Sequence, residues 1–444
     1  MSQFYIKTFG CQMNERDSEI MAQLLRQTGH GECFSAAVAD IIVINTCSIR
    51  AKAEHKIITL LGTLRPLKIA KPDLIIVVAG CVAQQYGAAL REKMPFVSLV
   101  VGTQRIYQIA ELVEKAGKSP GLIADTLDSS YRIPSFLPDA AAIERGGAVS
   151  RFVTIMQGCD NFCAYCVVPY TRGREVSRQA SDILAEIREL VNAGVSEITL
   201  LGQNVNSYGL TNPVGKNGYR FADLLRDTAA LPGLRRLRFT TSHPKDLSDD
   251  LMRCFRDVPN LCPHLHLPLQ SGANSVLKRM NRKYGREGYL ELIAKLREYQ
   301  PDLALSTDII AGFPGETDED FAETMDMLET VRFHASFSFK YSDRPGTASA
   351  EFPDKIDEAI KGERLRIFQH RQDEISLERN CERIGETVEI LVEQADITAC
   401  SGRTPSNHLT HIILPKNYGV KPGDFITAAI IGAGRHSLRG ELTA

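Results

Sequence analysis

The sequence predicts an α/β protein in three parts: an open parallel α/β domain, a partial (β/α)6 barrel of the TIM type, and a small C-terminal β-barrel. Two observations carry this. Strand-like and helix-like segments alternate over residues 3–116 and again from 151 to about 380, and such alternation means parallel sheet covered by helices. After about residue 380, helical periods give way to short β-branched runs broken by Gly, Asp and Asn, the texture of a small all-β unit of OB-like size.

The first series pairs "QFYIKTF" with "DSEIMAQLLRQTG", "DIIVINT" with "AKAEHKIITLLGTL", "DLIIVVAG" with "VAQQYGAALREK", and "FVSLVVG" with "QRIYQIAELVEKA". The stretch that follows, rich in Pro, Gly, Ser and Asp and without a sustained period, reads as a linker. The second series contains six strands, "RFVTIMQG", "SEITLLGQ", "LRRLRFTT", "HLHLPLQSG", "LALSTDIIAGF" and "HASFSFKYS", and ends on the helix "DKIDEAIKGERLRIFQHRQDEISLERN". The resulting division is 1–118, linker 119–144, barrel 145–379 and β-unit 380–444.

Composition is that of a soluble globular chain: 444 residues, 43% apolar and 24% charged. Lys and Arg number 52 against 54 Asp and Glu, net −2, which excludes a strongly basic nucleic-acid binder and requires any RNA contact to be local. The N-terminal "MSQFYIKTFGC" has no basic region followed by an apolar one, and no run reaches 18 apolar residues. A cytoplasmic enzyme without a membrane partner is expected. Eleven cysteines in such a chain suggest metal ligands or catalysts more than disulfides. Five of them, Cys33, Cys254, Cys262, Cys381 and Cys400, are isolated and read as small hydrophobes.

The other six fall into two sets. Cys11 follows "FYIKTFG", Cys47 follows "IIVINT" and Cys81 follows "LIIVVAG", so each lies just past a parallel strand, at the edge where open α/β sheets hold ligands. Convergence of three such positions implies a shared metal site. Cys159, Cys163 and Cys166, spaced C-x3-C-x2-C in "GCDNFCAYCVVPYTRGR", follow the first barrel strand, on the catalytic rim. Three thiolates in one loop suit three irons of a 4Fe–4S cluster. A zinc site would want a fourth Cys or His nearby, and none lies within thirty residues on either side. The fourth iron is then open to a small chelator bearing an amine and a carboxylate.

That loop resembles the signature of radical SAM enzymes, whose C-x3-C-x-aromatic-C pattern is matched by Cys159, Cys163, Tyr165 and Cys166. The resemblance implies S-adenosylmethionine on the open iron, an adenosyl radical from its reductive cleavage, and Tyr165 near the adenine. "DIIAGFPGE" resembles the family's adenine-supporting strand, through Ile310, Gly312 and Glu316, although Gly-Phe-Pro-Gly is also an ordinary tight turn. The whole chain outside the linker resembles the methylthiotransferases, on "TFGCQMNERDSE", "NTCSIRAKAEHK", "GCVAQQ", "GQNVNSYG", "STDIIAGFPGET" and "GRTPSNH".

That family joins a three-cysteine domain, a radical SAM core and a C-terminal TRAM domain. The resemblance implies a second 4Fe–4S cluster on Cys11, Cys47 and Cys81, two uses of SAM, and methylthio transfer to carbon 2 of N6-isopentenyladenosine at position 37 of tRNA. It also implies a low-potential electron donor and a sulfur source. No acid or base is assigned, because an aromatic C–H has no useful acidity; the cofactors carry the reactivity, while the protein supplies geometry and dryness. Sister branches act on threonylcarbamoyladenosine of tRNA or on a ribosomal-protein aspartate, and a non-catalytic iron–sulfur RNA-binding protein is the alternative from another class. Two basic groups could meet phosphates of the splayed-out nucleotide: Arg172, Arg174 and Arg178, and Lys278, Arg279, Arg282, Lys283 and Arg286. Solvated faces are the competing reading. In the C-terminal unit, with six basic and seven acidic residues from Asn380 onward and with His408 and His411 in "NHLTHI", recognition by shape and hydrogen bonds is expected.

Overall fold

Register between neighbouring strands organises the N-terminal part. The computed structural model describes residues 2–48, 51–140, 143, 149–416 and 418–443, with the backbone alone for 51–56. Six parallel strands stand in the order Gly31–Glu32, Gln3–Thr8, Ile41–Thr46, Ile75–Gly80, Leu99–Val101, Leu122–Ala124. Ile41–Thr46 is buried along its whole length, as a strand covered on both faces must be. Helices Gln12–Gln27 and Ile109–Lys118 cover one face through Ile20, Leu25, Ile109 and Val113. Ala51–Ala70 and Cys81–Lys93 cover the other through Ile57, Leu61, Val82 and Leu90. Gly31–Glu32 and Leu122–Ala124 join the four strands expected. They span two and three residues, too few for a period to show, and the second lies inside the stretch read as linker.

In the barrel, Ser150–Thr154, Glu197–Leu201 and Arg236–Thr240 pair in parallel, as do His264–His266, Ala304–Ala311 and Ala335–Lys340. Between the two sheets, a parallel bridge pairs Leu237 with Leu261, just ahead of His264–His266. Helices Ala180–Asn192, Phe221–Ala229, Asp249–Asp257, Arg286–Tyr299, Asp318–Val331 and Glu358–Cys381 follow the six strands in turn. Leu237, Phe239, Leu265, Leu305 and Ile309 enter the helix-packed core, so by strand alternation Arg238, His266, Ser306 and Asp308 face the lumen. Among the described residues no pairing joins the first and sixth strands, which leaves the barrel open on that side.

The C-terminal strands Thr387–Ala395, Ala399–Arg403, Leu409–Ile413, Leu438–Leu442 and Phe425–Ala433 close a five-stranded barrel in that spatial order. It is seated under the larger barrel, at the end opposite the cysteine loop. Buried Arg238 donates to Pro405 O at 2.8 Å and Thr404 O at 2.9 Å, and Arg236 to Arg403 O at 2.7 Å and Glu389 O at 2.9 Å. His408 is part of this seat, edge-on to His334 at 5.6 Å, and burial holds it down at about 4; His411 remains exposed. Among the described residues no helix is long and apolar enough to cross a membrane.

Candidate active site

Parallel register brings the first cysteine set together. Thr8 pairs with Asn45 and Thr46 with Gly80, so the strand ends that precede Cys11, Cys47 and Cys81 lie level. Two glycines let the turns close. A Cβ on Gly10 (φ +133°) would lie 2.5 Å from Cys47 Cβ, and one on Gly80 (φ +91°) 2.5 Å from both Asn45 Oδ1 and Thr46 O, a left-handed, crowded setting that only glycine fits. Asn14 and Asn45 lock the turns: Asn14 Nδ2 donates to Asn45 Oδ1 at 3.0 Å and Thr46 O at 2.8 Å, and Asn45 Nδ2 to Asn14 O at 2.8 Å. The Cys47 thiol against it, aided by Arg172, holds Cys11 down at about 6 despite burial. Burial pushes Cys81 up, with Arg172 opposing.

The second set sits on the loop after Ser150–Thr154. Gly158 (φ +81°) leads into it, where a Cβ would meet Arg174 O at 2.1 Å. Phe162 takes a left-handed φ of 47°, a strain of order 1–3 kcal/mol for a residue with a side chain. The strained turn is held from the barrel: Asn281 Nδ2 donates to Phe162 O at 2.8 Å and Ala164 N to Met280 O at 2.9 Å. Buried Arg282 donates to Cys163 Sγ at 3.3 Å and to Tyr165 OH at 3.4 Å, while Pro268 O and Tyr284 OH fix the rest of its guanidinium. Burial pushes Cys159 up to about 11, and burial with the nearby Cys163 pushes Cys166 to about 12. A bound metal ionises such thiols outright.

Both sets open on one cavity of about 870 Å³, whose wall includes Cys11 and Cys81 of the first and Cys159, Cys163 and Cys166 of the second. Arg172 lies between them. It rises from the end of the second loop, is buried, and donates to the buried carboxylate of Asp17 at 2.8 Å. Among the described residues its Nη1 has no partner, and neither do Ser48 Oγ, Ser242 Oγ and His243 Nε2, all buried polar atoms of residues on the cavity wall. Unpartnered donors and acceptors in a cavity of this size fit a polar cofactor and substrate. Among the described residues no three Cys, His, Asp or Glu side chains gather closely enough for a single ion; the thiolates of a 4Fe–4S cluster go to separate irons.

The structure puts Tyr165 and Ile310 on the cavity wall, packed against the same apolar group around Phe313 and Tyr341. Gly312 and Glu316 do not reach it. Gly312 (φ +73°) lies against Lys361, where a Cβ would come within 2.4 Å of Cγ. Its N–H donates to buried Glu316 at 3.0 Å, and that carboxylate accepts from Arg364 at 2.7 Å. These two shape the turn below the wall.

The basic groups divide differently from the sequence reading. Arg172, Arg178 and Arg282 are buried, so none is a surface phosphate contact. Arg174, Arg279 and Arg286 are tied to Asp160, Asp354 and Asp326, whereas Lys278 and Lys283 stay exposed. Sequence reasoning missed Asn14, Asn45 and Asp17 and misplaced Arg172. The available signal was that polar residues recur at helical spacing after Cys11, on a helix whose burial leaves them facing inward.

Residues 3–102 match the Uncharacterized protein family UPF0004 and residues 153–328 the Radical SAM superfamily. Cavity, loop and match together define a radical SAM protein, with the 4Fe–4S cluster and SAM that this superfamily implies. Similarity extends over the whole chain. The tRNA-2-methylthio-N(6)-dimethylallyladenosine synthase of Desulfotalea psychrophila is 57% identical over 441 residues, covering 99% of this chain and 98% of that one. Its namesakes from Geobacter metallireducens and Syntrophobacter fumaroxidans are 46% and 47% identical, over 99% of this chain and 98% and 95% of theirs. The chain belongs to the tRNA-2-methylthio-N(6)-dimethylallyladenosine synthase family. Among solved structures, the radical S-adenosylmethionine methyltransferase TsrM from Kitasatospora setae shares the fold at TM-score 0.57 and 14% identity, over 89% of this chain and 79% of that one. The cobalamin-dependent radical enzyme OxsB does so at 0.54 and 13%, over 83% and 56%.

Proposed function

We infer that this chain is a radical SAM methylthiotransferase that adds a methylthio group to carbon 2 of N6-isopentenyladenosine at position 37 of tRNA. The observation that carries the reading is the single cavity onto which both cysteine sets open. Cys159, Cys163 and Cys166 would hold the radical SAM cluster, and Cys11, Cys47 and Cys81 a second 4Fe–4S cluster. When bound, these groups and SAM supply a carbon-centred adenosyl radical and a transferable methylthio sulfur.

The chain's own residues arrange the encounter. Arg282 orients Tyr165 and donates to Cys163, Tyr165 and Ile310 flank the place of the SAM adenine, and Gly312 and Glu316 support that strand from behind. Arg172 supplies positive charge beside the first set. The N-terminal domain roofs the barrel mouth and keeps water from the reacting carbon. A low-potential electron donor, a sulfur source and a cytoplasmic setting complete the reading, with units at 1–118, 145–379 and 380–444 joined by a linker at 119–144.

The names of the full-length relatives favour this substrate over threonylcarbamoyladenosine or a ribosomal aspartate. Anaerobic incubation of the reconstituted chain with SAM, strong reductant and isopentenylated tRNA, followed by nucleoside mass spectrometry, should yield the 2-methylthio nucleoside and 5′-deoxyadenosine. Product on threonylcarbamoylated tRNA or the ribosomal protein, with none on isopentenylated tRNA, would overturn the choice.

A further inference from the structure

Two rings of the second cysteine loop remain outside the cavity. Phe162 is 36% exposed and Tyr170 50%, and they meet edge to face with centroids 6.5 Å apart. Their chain neighbours Asn161, Cys163, Val168 and Thr171 line the cavity, so the pair stands on its rim. Phe162 is also the strained, left-handed residue of the loop, and strain of this kind concentrates at ligand contacts.

Cations lie along the same stretch. The Arg174 guanidinium lies over Phe162, 4.9 Å from its centroid, with its side chain 64% exposed and its Nε on Asp160 at 2.9 Å. Lys245 Nζ reaches Asn161 Oδ1 at 2.7 Å, with Asp246 at 3.6 Å. Lys283 Nζ reaches Oδ1 of Asn281 at 2.6 Å, the same Asn281 that holds the Phe162 carbonyl. Both lysines are exposed. Three cations, offset by Asp160 and Asp246, thus lie beside the stretch that carries the two rings, Arg174 over one face of Phe162.

Exposed aromatic faces inside a frame of cations are the means by which proteins hold unpaired nucleotides without reading their sequence. Drawing one base out of a loop into a cavity leaves its neighbour without a stacking partner. We propose that Phe162 and Tyr170 form a stacking ledge for the nucleotide that flanks the target adenosine in a single-stranded RNA loop, with Arg174, Lys245 and Lys283 meeting the adjoining phosphates. This rests on the tRNA reading above. A protein partner would want a broader apolar surface than two rings among cations.

The test is binding of an anticodon stem-loop RNA to the reconstituted full chain, followed by fluorescence anisotropy. Tyr170→Leu keeps apolar bulk and removes the π face, and it should weaken binding about tenfold with iron content unchanged. An RNA abasic at the flanking position should lose about tenfold against wild type and nothing further against Tyr170→Leu. Lys283→Gln should lower the slope of log affinity against log salt by about one. Tyr170→Leu binding as tightly as wild type, or losses from the variant and the abasic site that simply add, would overturn the ledge while leaving the tRNA reading intact. Failure of wild type to bind any stem-loop would remove both, and Phe162→Leu, judged only if its iron content holds, gives the second variant.

Discussion

Glu186→Gln tests whether the two cysteine sets are held in register by the contact between their domains. Glu186 is completely buried between Arg16, from the first helix of the N-terminal domain, and Arg178, from the barrel. Arg16 also lies over Phe136, 5.2 Å from the ring centre, so one carboxylate ties both domains and the connecting segment. The amide keeps the shape but leaves buried Arg178 without a counter-charge and Arg16 with Glu19 alone, at 3.0 Å, a loss of about 3 kcal/mol. For a unit of 150–250 residues, 3 kcal/mol lowers the unfolding midpoint by roughly 6–12 °C. Scanning calorimetry reads the first consequence. The second is functional: with the domains loosened, 5′-deoxyadenosine should still form while methylthio product falls, because only the latter needs both sets on one cavity. An unchanged midpoint together with the wild-type ratio of the two products would refute the reasoning.

Gly80→Ala forces a Cβ to within 2.5 Å of Asn45 Oδ1 and Thr46 O; iron analysis should show loss of the metal at Cys11, Cys47 and Cys81 with the barrel loop still loaded. Glu175, pushed up to about 7 by burial against the relief of its bond from Ser207, stays protonated in the fold at pH values where the unfolded chain has ionised. Stability should therefore fall as pH rises from about 4.5 to 7, by up to about 3 kcal/mol, and Glu175→Gln should flatten that slope in urea titrations at pH 5 and 7.5. Arg238→Met breaks the bonds to Thr404 and Pro405 and leaves Glu197, its partner at 2.9 Å, unpaired; limited proteolysis should then release the C-terminal barrel faster than from wild type.

The cysteine sets were legible because each depends on local pattern. Cys159, Cys163 and Cys166 share one loop, and Cys11, Cys47 and Cys81 each follow a β-branched run whose strand is unmistakable. What links the sets was not legible. Arg172 stands in a run of arginines that reads as a phosphate-binding face, and only tertiary packing reveals that it points inward to Asp17. His408 looked equally available for RNA, yet the seat of the small barrel covers it. Gly312 and Glu316 carry a recognisable spacing, but spacing does not say on which side of a strand a turn lies. Leu122–Ala124 shows the limit for strands: three residues have no period, and pairing with Leu99–Val101 is a property of the sheet.

The central claim is that two cysteine sets, far apart in sequence, serve one reaction in one cavity. The most direct measurement follows a Cys11/Cys47/Cys81→Ala triple variant beside wild type, anaerobically reconstituted, counting iron and quantifying both 5′-deoxyadenosine and methylthio nucleoside. Iron should fall from about eight to about four per chain, with 5′-deoxyadenosine still formed and the methylthio nucleoside absent. Full iron content, or undiminished methylthio product, in the triple variant would contradict the account.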